Sequence, residues 1–173
     1  MAEKSVNELQ PVSFGARLAN SQVFADLFRD GMALVEETAT YLDGPGRQES
    51  KKLERAAALA YATESMRLTT RLMQLASWLL LQRAVSDGEL STEQAKAEKN
   101  KVRFSGAALP EEDLLAKLPE RLRELIDASV RLQDKVMRLD SMLYVNRRDP
   151  PPADNPVERQ LGLLKAAFQR TDD

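Results

Sequence analysis

The 173-residue chain is 43% apolar, 30% charged and 5% aromatic, which suits one globular domain with a few dozen residues of tails and linkers. It contains no cysteine and no histidine, which excludes disulfides, thiolate nucleophiles, zinc held by either residue type and every catalytic triad that needs an imidazole. A net charge of -2 gives no overall attraction to nucleic acid or anionic lipid, so any such binding would need a local patch.

Residues 1–14 carry Glu3, Lys4, Glu8 and Pro11 and no apolar stretch of the kind a signal peptide needs, so residues 1–19 read as a flexible N-terminal segment. The longest apolar run, residues 76–81, is interrupted by Ser77 and falls far short of the roughly 20 residues a membrane span requires. The expectation is a cytoplasmic protein with no membrane partner. Leucine and alanine dominate the apolar set and isoleucine occurs once, at Ile126, so helix formers outweigh the β-branched residues that strands prefer. The predicted fold is all-α: an antiparallel three-helix bundle with a long central helix over residues 20–148.

The first helix begins near Asn20 or Ser21 as N-cap and places Phe24, Leu27, Phe28, Leu34, Val35, Tyr41 and Leu42 at spacings of three, four and seven. Asp43, Gly44, Pro45 and Gly46 end it. A second helix is predicted over 48–86 without internal Gly or Pro, a rod of roughly 55–60 Å at 1.5 Å per residue. Tyr61, Leu68, Leu72, Leu75 and Leu79 form one stripe; Met66, Met73 and Leu80 repeat every seven residues at a neighbouring angle, and Trp78, Leu81 and Val85 add a third. From Leu72 onward apolar positions cover so much of the circumference that neighbours are needed on more than one side. A homodimer would supply them. Its predicted interface is Leu72, Leu75, Trp78, Leu79 and Leu80, with Arg67 and Arg71 ion-pairing or snorkelling beside it.

Gly88 stops this helix, and Ser91 with Gln94 makes a capping box for a short charged helix to about Lys99. A third long helix starts near Glu111 or, after a break, near Pro119, with Leu122, Leu125, Ser129, Leu132, Val136, Leu139 and Leu143 in an alternating three-four seam. Four prolines within 149–156 mark a linker, so residues 149–173 form a Pro-rich tail. Within it, Asn155 and Pro156 can start a short helix in which Leu161, Leu164 and Phe168 share a face. At about 13 residues such a helix is marginal alone, so it is expected to order only against a partner.

Chemistry is thinly represented. Glu36 and Glu37 with Glu124 and Asp127 resemble fragments of carboxylate Mg²⁺ sites, but the further acid expected three residues after the Glu pair is Thr40. Lys96, Lys99, Lys101 and Arg103 cluster, yet Glu93 and Glu98 dilute them and no recognition helix is visible. The reading is a non-enzyme without metal or cofactor; a small helical nucleic-acid-associated or transcription-linked regulator is the competing one.

Residues 61–90, YATESMRLTTRLMQLASWLLLQRAVSDGEL, together with AEKNKV at 97–102, resemble the alphaproteobacterial regulator of CtrA degradation (RcdA) family. The resemblance runs from the first helix to Tyr144 and carries no catalytic motif. It implies a dimeric three-helix bundle that serves as an adaptor for the ATP-dependent protease ClpXP, delivering cell-cycle regulators for destruction. The implied partners are therefore a second copy, the ClpXP machinery and regulatory protein substrates. No family binding residue maps onto a particular position of this chain.

Overall fold

Ser21 starts the first long helix by accepting a hydrogen bond from the Phe24 N–H at 3.3 Å, which satisfies one of the amide groups a helix leaves open at its start. In the computed structural model, which describes residues 17, 21–102, 104 and 112–144, this helix, α1, spans Gln22–Asp43. It buries Phe24, Leu27, Gly31, Leu34, Thr38 and Tyr41 along one face. The Gly44 N–H closes it on the carbonyls of Thr40 and Tyr41, and Pro45 opens the short α2, Pro45–Ser50, where its missing N–H costs nothing.

The predicted rod over 48–86 is divided. Turn hydrogen bonds from Lys52 to Glu49 and from Leu53 to Ser50 end α2, and α3 then runs Arg55–Ser86, about 48 Å long. The break is tertiary in origin. Tyr41 Oη donates to Glu49 Oε2 at 2.7 Å and ties α2 to α1, while Gly46 lies so close to both tyrosines that an added Cβ would stand 2.5 Å from Tyr61 Oη. Leu53 packs against the core from the turn.

Gly88, with φ of 77°, ends the helical path after α3 as expected, and Ser91 and Gln94 form both halves of the capping box that opens α4, Thr92–Lys99. After α5, Glu112–Leu115, the last long helix, α6, occupies Glu120–Tyr144. Of the two predicted starts, the later is the one observed.

The fold is all-α, and α1, α3 and α6 surround a core that includes Leu68, Leu75, Trp78, Leu79, Leu122, Leu125 and Val136. Antiparallel packing holds for α1 against both neighbours: Phe24 meets Trp78 while Gly46, beyond the end of α1, meets Tyr61, and on α6 Arg121 pairs with Glu37 while Met142 lines a cavity with Val23. The α3–α6 pair is parallel, since Arg71 bonds Ser129, Trp78 bonds Asp140 and Gln82 bonds Tyr144. Asp87, at the end of α3, and Pro119, before α6, therefore lie toward opposite ends of the bundle, and α4 docks on both helices. Among the described residues no helix is long and apolar enough to cross a membrane.

Candidate functional site

The long helix α3 has two apolar sides with different fates. Leu68, Leu72, Leu75, Trp78 and Leu79 face inward and are almost wholly buried by α1 and α6. Four of the five predicted interface leucines and tryptophan, namely Leu72, Leu75, Trp78 and Leu79, are thus core residues of a single subunit and are unavailable to a second copy. Leu80 is the exception, 55% exposed. It continues an outward stripe of Leu59, Met66 and Met73, which are 71%, 73% and 66% exposed and stand one heptad apart.

Between these large side chains the same face carries Ala62, Thr63, Thr69, Thr70 and Ser77, all exposed. Three of the hydroxyls are already satisfied within the helix: Thr63 donates to the Leu59 carbonyl, Thr69 to that of Ser65 and Ser77 to that of Met73, at 2.8–3.0 Å. Covering them with an apolar neighbour would therefore not strand their protons. Over 56–82 the only exposed charged residue of α3 is Arg67, and it bonds Glu64 at 2.7 Å. In a chain with 30% charged residues, a face about 32 Å long carries a single charge.

Arg71, predicted beside the interface, instead crosses the interior. Its guanidinium donates to Ser129 Oγ at 2.9 Å, and Ser129 in turn donates to the Ile126 carbonyl at 2.7 Å. Burial holds the Arg71 pKa below its usual value, opposed by the nearby Glu64 carboxylate. This pair pins the register of α3 against α6. At the far end Asp140 joins three elements: Oδ1 accepts the Trp78 Nε1 proton at 2.8 Å, and Oδ2 pairs with Lys99 Nζ of α4 at 2.6 Å. Lys99 Nζ also lies 4.1 Å from the centre of the Tyr144 ring, a cation–π contact.

The carboxylate fragments considered for a metal do meet in part, but around a cation the protein itself provides: Arg121 pairs with both Glu37 and Glu124. Among the described residues no group of three or more acidic side chains is placed to hold a metal ion. The predicted tail contacts Leu161, Leu164 and Phe168 lie outside the described residues.

Tyr41 and Tyr61 form the most perturbed titrating pair. Burial first, then the Glu49 carboxylate, lift the Tyr41 pKa far above the ordinary 10.0, and burial also raises Tyr61. Above about pH 10 the unfolded chain loses tyrosine protons that the folded one keeps, so stability is intact below that pH and falls as pH rises. The expected slope is about 1.4 kcal/mol per pH unit for each tyrosine so coupled, read from urea midpoints measured on either side of pH 10. Tyr41→Phe should remove one tyrosine's share of it and leave that of Tyr61; a midpoint that does not move in the wild type would contradict the assignment.

The sequence matches the family described as "Protein of unknown function (DUF1465)" over residues 15–168. The chain belongs to this family. Among solved structures, its fold is similar to the crystal structure of RcdA from Caulobacter crescentus, at 52% sequence identity and a TM-score of 0.62, covering 75% of this chain and 98% of that one. That likeness makes this DUF1465 protein RcdA-like, in agreement with the resemblance seen in residues 61–90 and 97–102. No curated protein matches. For this DUF1465 member the residues missed at the outset are Leu59, Met66 and Met73. Their seven-residue period was legible, but period alone does not say which of two apolar stripes faces inward. The run of small hydroxyl residues beside them, and the scarcity of charge, would have marked the outer one.

Proposed function

We propose that this protein is a non-enzymatic adaptor that binds regulatory proteins and promotes their delivery to the ClpXP protease, and that it works as a homodimer in the cytoplasm. The observation that carries the protein-binding reading is the nearly charge-free outer face of α3. RcdA-like identity at 52% supports the choice of adaptor among protein-binding roles. A two-fold axis passing between Met66 and Met73 would set Leu59 against Leu80 of the partner subunit, the self-complementary arrangement of a closed dimer. Peptide cleavage and ATP hydrolysis belong to the protease on this reading, and the apolar tail residues Leu161, Leu164 and Phe168 contact a partner.

The test is a degradation assay with purified ClpXP, a regulatory substrate and this protein, run beside light scattering. Addition of the wild type is expected to accelerate substrate loss. Met73→Glu, which puts a charge at the middle of the stripe, should yield a monomer with unchanged helicity. A wild-type monomer at micromolar concentration would remove the dimer, and unaltered substrate lifetime across known ClpXP regulatory substrates would remove the adaptor.

A further inference from the structure

The third seam of the bundle, between α1 and α6, is not closed. Near the start of α1 and the end of α6 it opens into a cavity of about 430 Å³ lined by Val23, Leu27, Leu139 and Met142, and a second hollow of about 340 Å³ reaching Leu34, Ala128 and Leu132 continues it. Leu27 and Lys135 border both, so the two are parts of one groove. Val23 and Met142 stand exposed at its mouth. Acidic Asp26 and Asp30 rise on the α1 side, and basic Lys135 and Arg138 on the α6 side.

We propose that residues 156–168 of the same chain dock in this groove as a fourth helix. The chain leaves α6 at Tyr144, two residues beyond Met142, so it departs at the mouth of the groove. From there to Val157 an extended backbone reaches up to about 43 Å, several times the roughly 10 Å needed to step onto the neighbouring seam. As a helix, the segment aligns Val157, Leu161, Leu164 and Phe168 at i, i+4, i+7 and i+11. On α1 the groove is lined by Val23, Leu27 and Leu34, at i, i+4 and i+11, the same span as the tail's stripe, about 17 Å in each case.

The outer face of α3 suits this segment less well: it is the face of a single helix, roughly twice as long as the tail's stripe. The matched family sequence extends to residue 168 and so includes all four apolar positions. A short tether holds the segment at about millimolar effective concentration, enough to populate a docked state that a partner binding the same four side chains can displace. The inference stands apart from the adaptor reading, because it concerns only contacts within one chain.

The natural chain has no cysteine, so Thr171→Cys carries a single spin label without background. In the full-length protein, amides near Leu34 on α1 and near Ala128 on α6 are expected to lose intensity by paramagnetic relaxation. The loss should vanish in a Thr171→Cys chain that also bears Leu164→Asp and Phe168→Asp, and should be absent when spin-labelled chains without isotope are mixed with isotope-labelled chains without the spin label. Broadening that is equal in the doubly charged variant overturns the proposal. So does broadening centred on Met66 and Met73, or broadening that appears only in the mixed sample.

Discussion

Asp140→Ala should lower the stability of the folded subunit by about 3 kcal/mol, measured as a shift of the urea midpoint at constant slope. The effect comes from what the change leaves behind. Trp78 is completely buried, and Asp140 is the acceptor of its indole proton; without it the proton loses its protein partner at the edge of the core. The same substitution releases Lys99, which is only 19% exposed, from its 2.6 Å ion pair and loosens α4 from α6. Asp140→Asn separates the two contributions, because an amide oxygen can still accept from Trp78. It should cost about 1 kcal/mol, in line with a partly exposed ion pair. Equal losses for Ala and Asn would mean that the charge, and not the buried indole, governs the site.

Leu75→Ala and Met73→Ala, two residues apart on the same helix, should behave as opposites. Leu75 is 1% exposed at the centre of the core, and truncating it removes methyl groups from close packing and leaves a cavity, for a loss of about 3 kcal/mol and a fall in melting temperature of roughly 10 °C. Met73 points outward, so its truncation should leave the stability of the single subunit within about 0.5 kcal/mol while weakening self-association. Melting at several protein concentrations reads both effects, because a dimer's midpoint rises with concentration and a monomer's does not. A large, concentration-independent loss from Met73→Ala would place that side chain in a core contact and refute the outward face.

The helical class, the N-cap at Ser21, the stop at Gly88 and the capping box at Ser91 and Gln94 were legible because each depends on a few neighbouring residues. The break at 51–54 was not, since nothing local forbids a helix there; it follows from the bond between Tyr41 and Glu49, eight residues apart, and from the close approach of Gly46 to Tyr61. The interface was misplaced for a related reason. Composition showed that α3 has more apolar surface than one neighbour can cover, and α1 and α6 turn out to cover the Leu72, Leu75, Leu79 side from two directions. Excess hydrophobicity identified the helix, whereas the side left over was decided by which pairs of helices the connections allow to touch. Arg71 shows the limit most clearly: a basic residue among exposed-looking positions lies in the interior because Ser129, 58 residues away, accepts its proton.

The parallel pairing of α3 and α6 has a topological consequence. Val23 and Met142 border one cavity, so the two ends of the described bundle are neighbours, while Asp87 at the end of α3 and Pro119 before α6 lie toward opposite ends of it. Read in the rotated order α6, α1, α3, the same three helices become a plain up-down-up hairpin series joined by short turns. The natural order also makes the contacts between α1 and α6 the most distant among the described residues, with Arg121 bonding Glu37 across 84 residues, and, by that separation, the slowest to close.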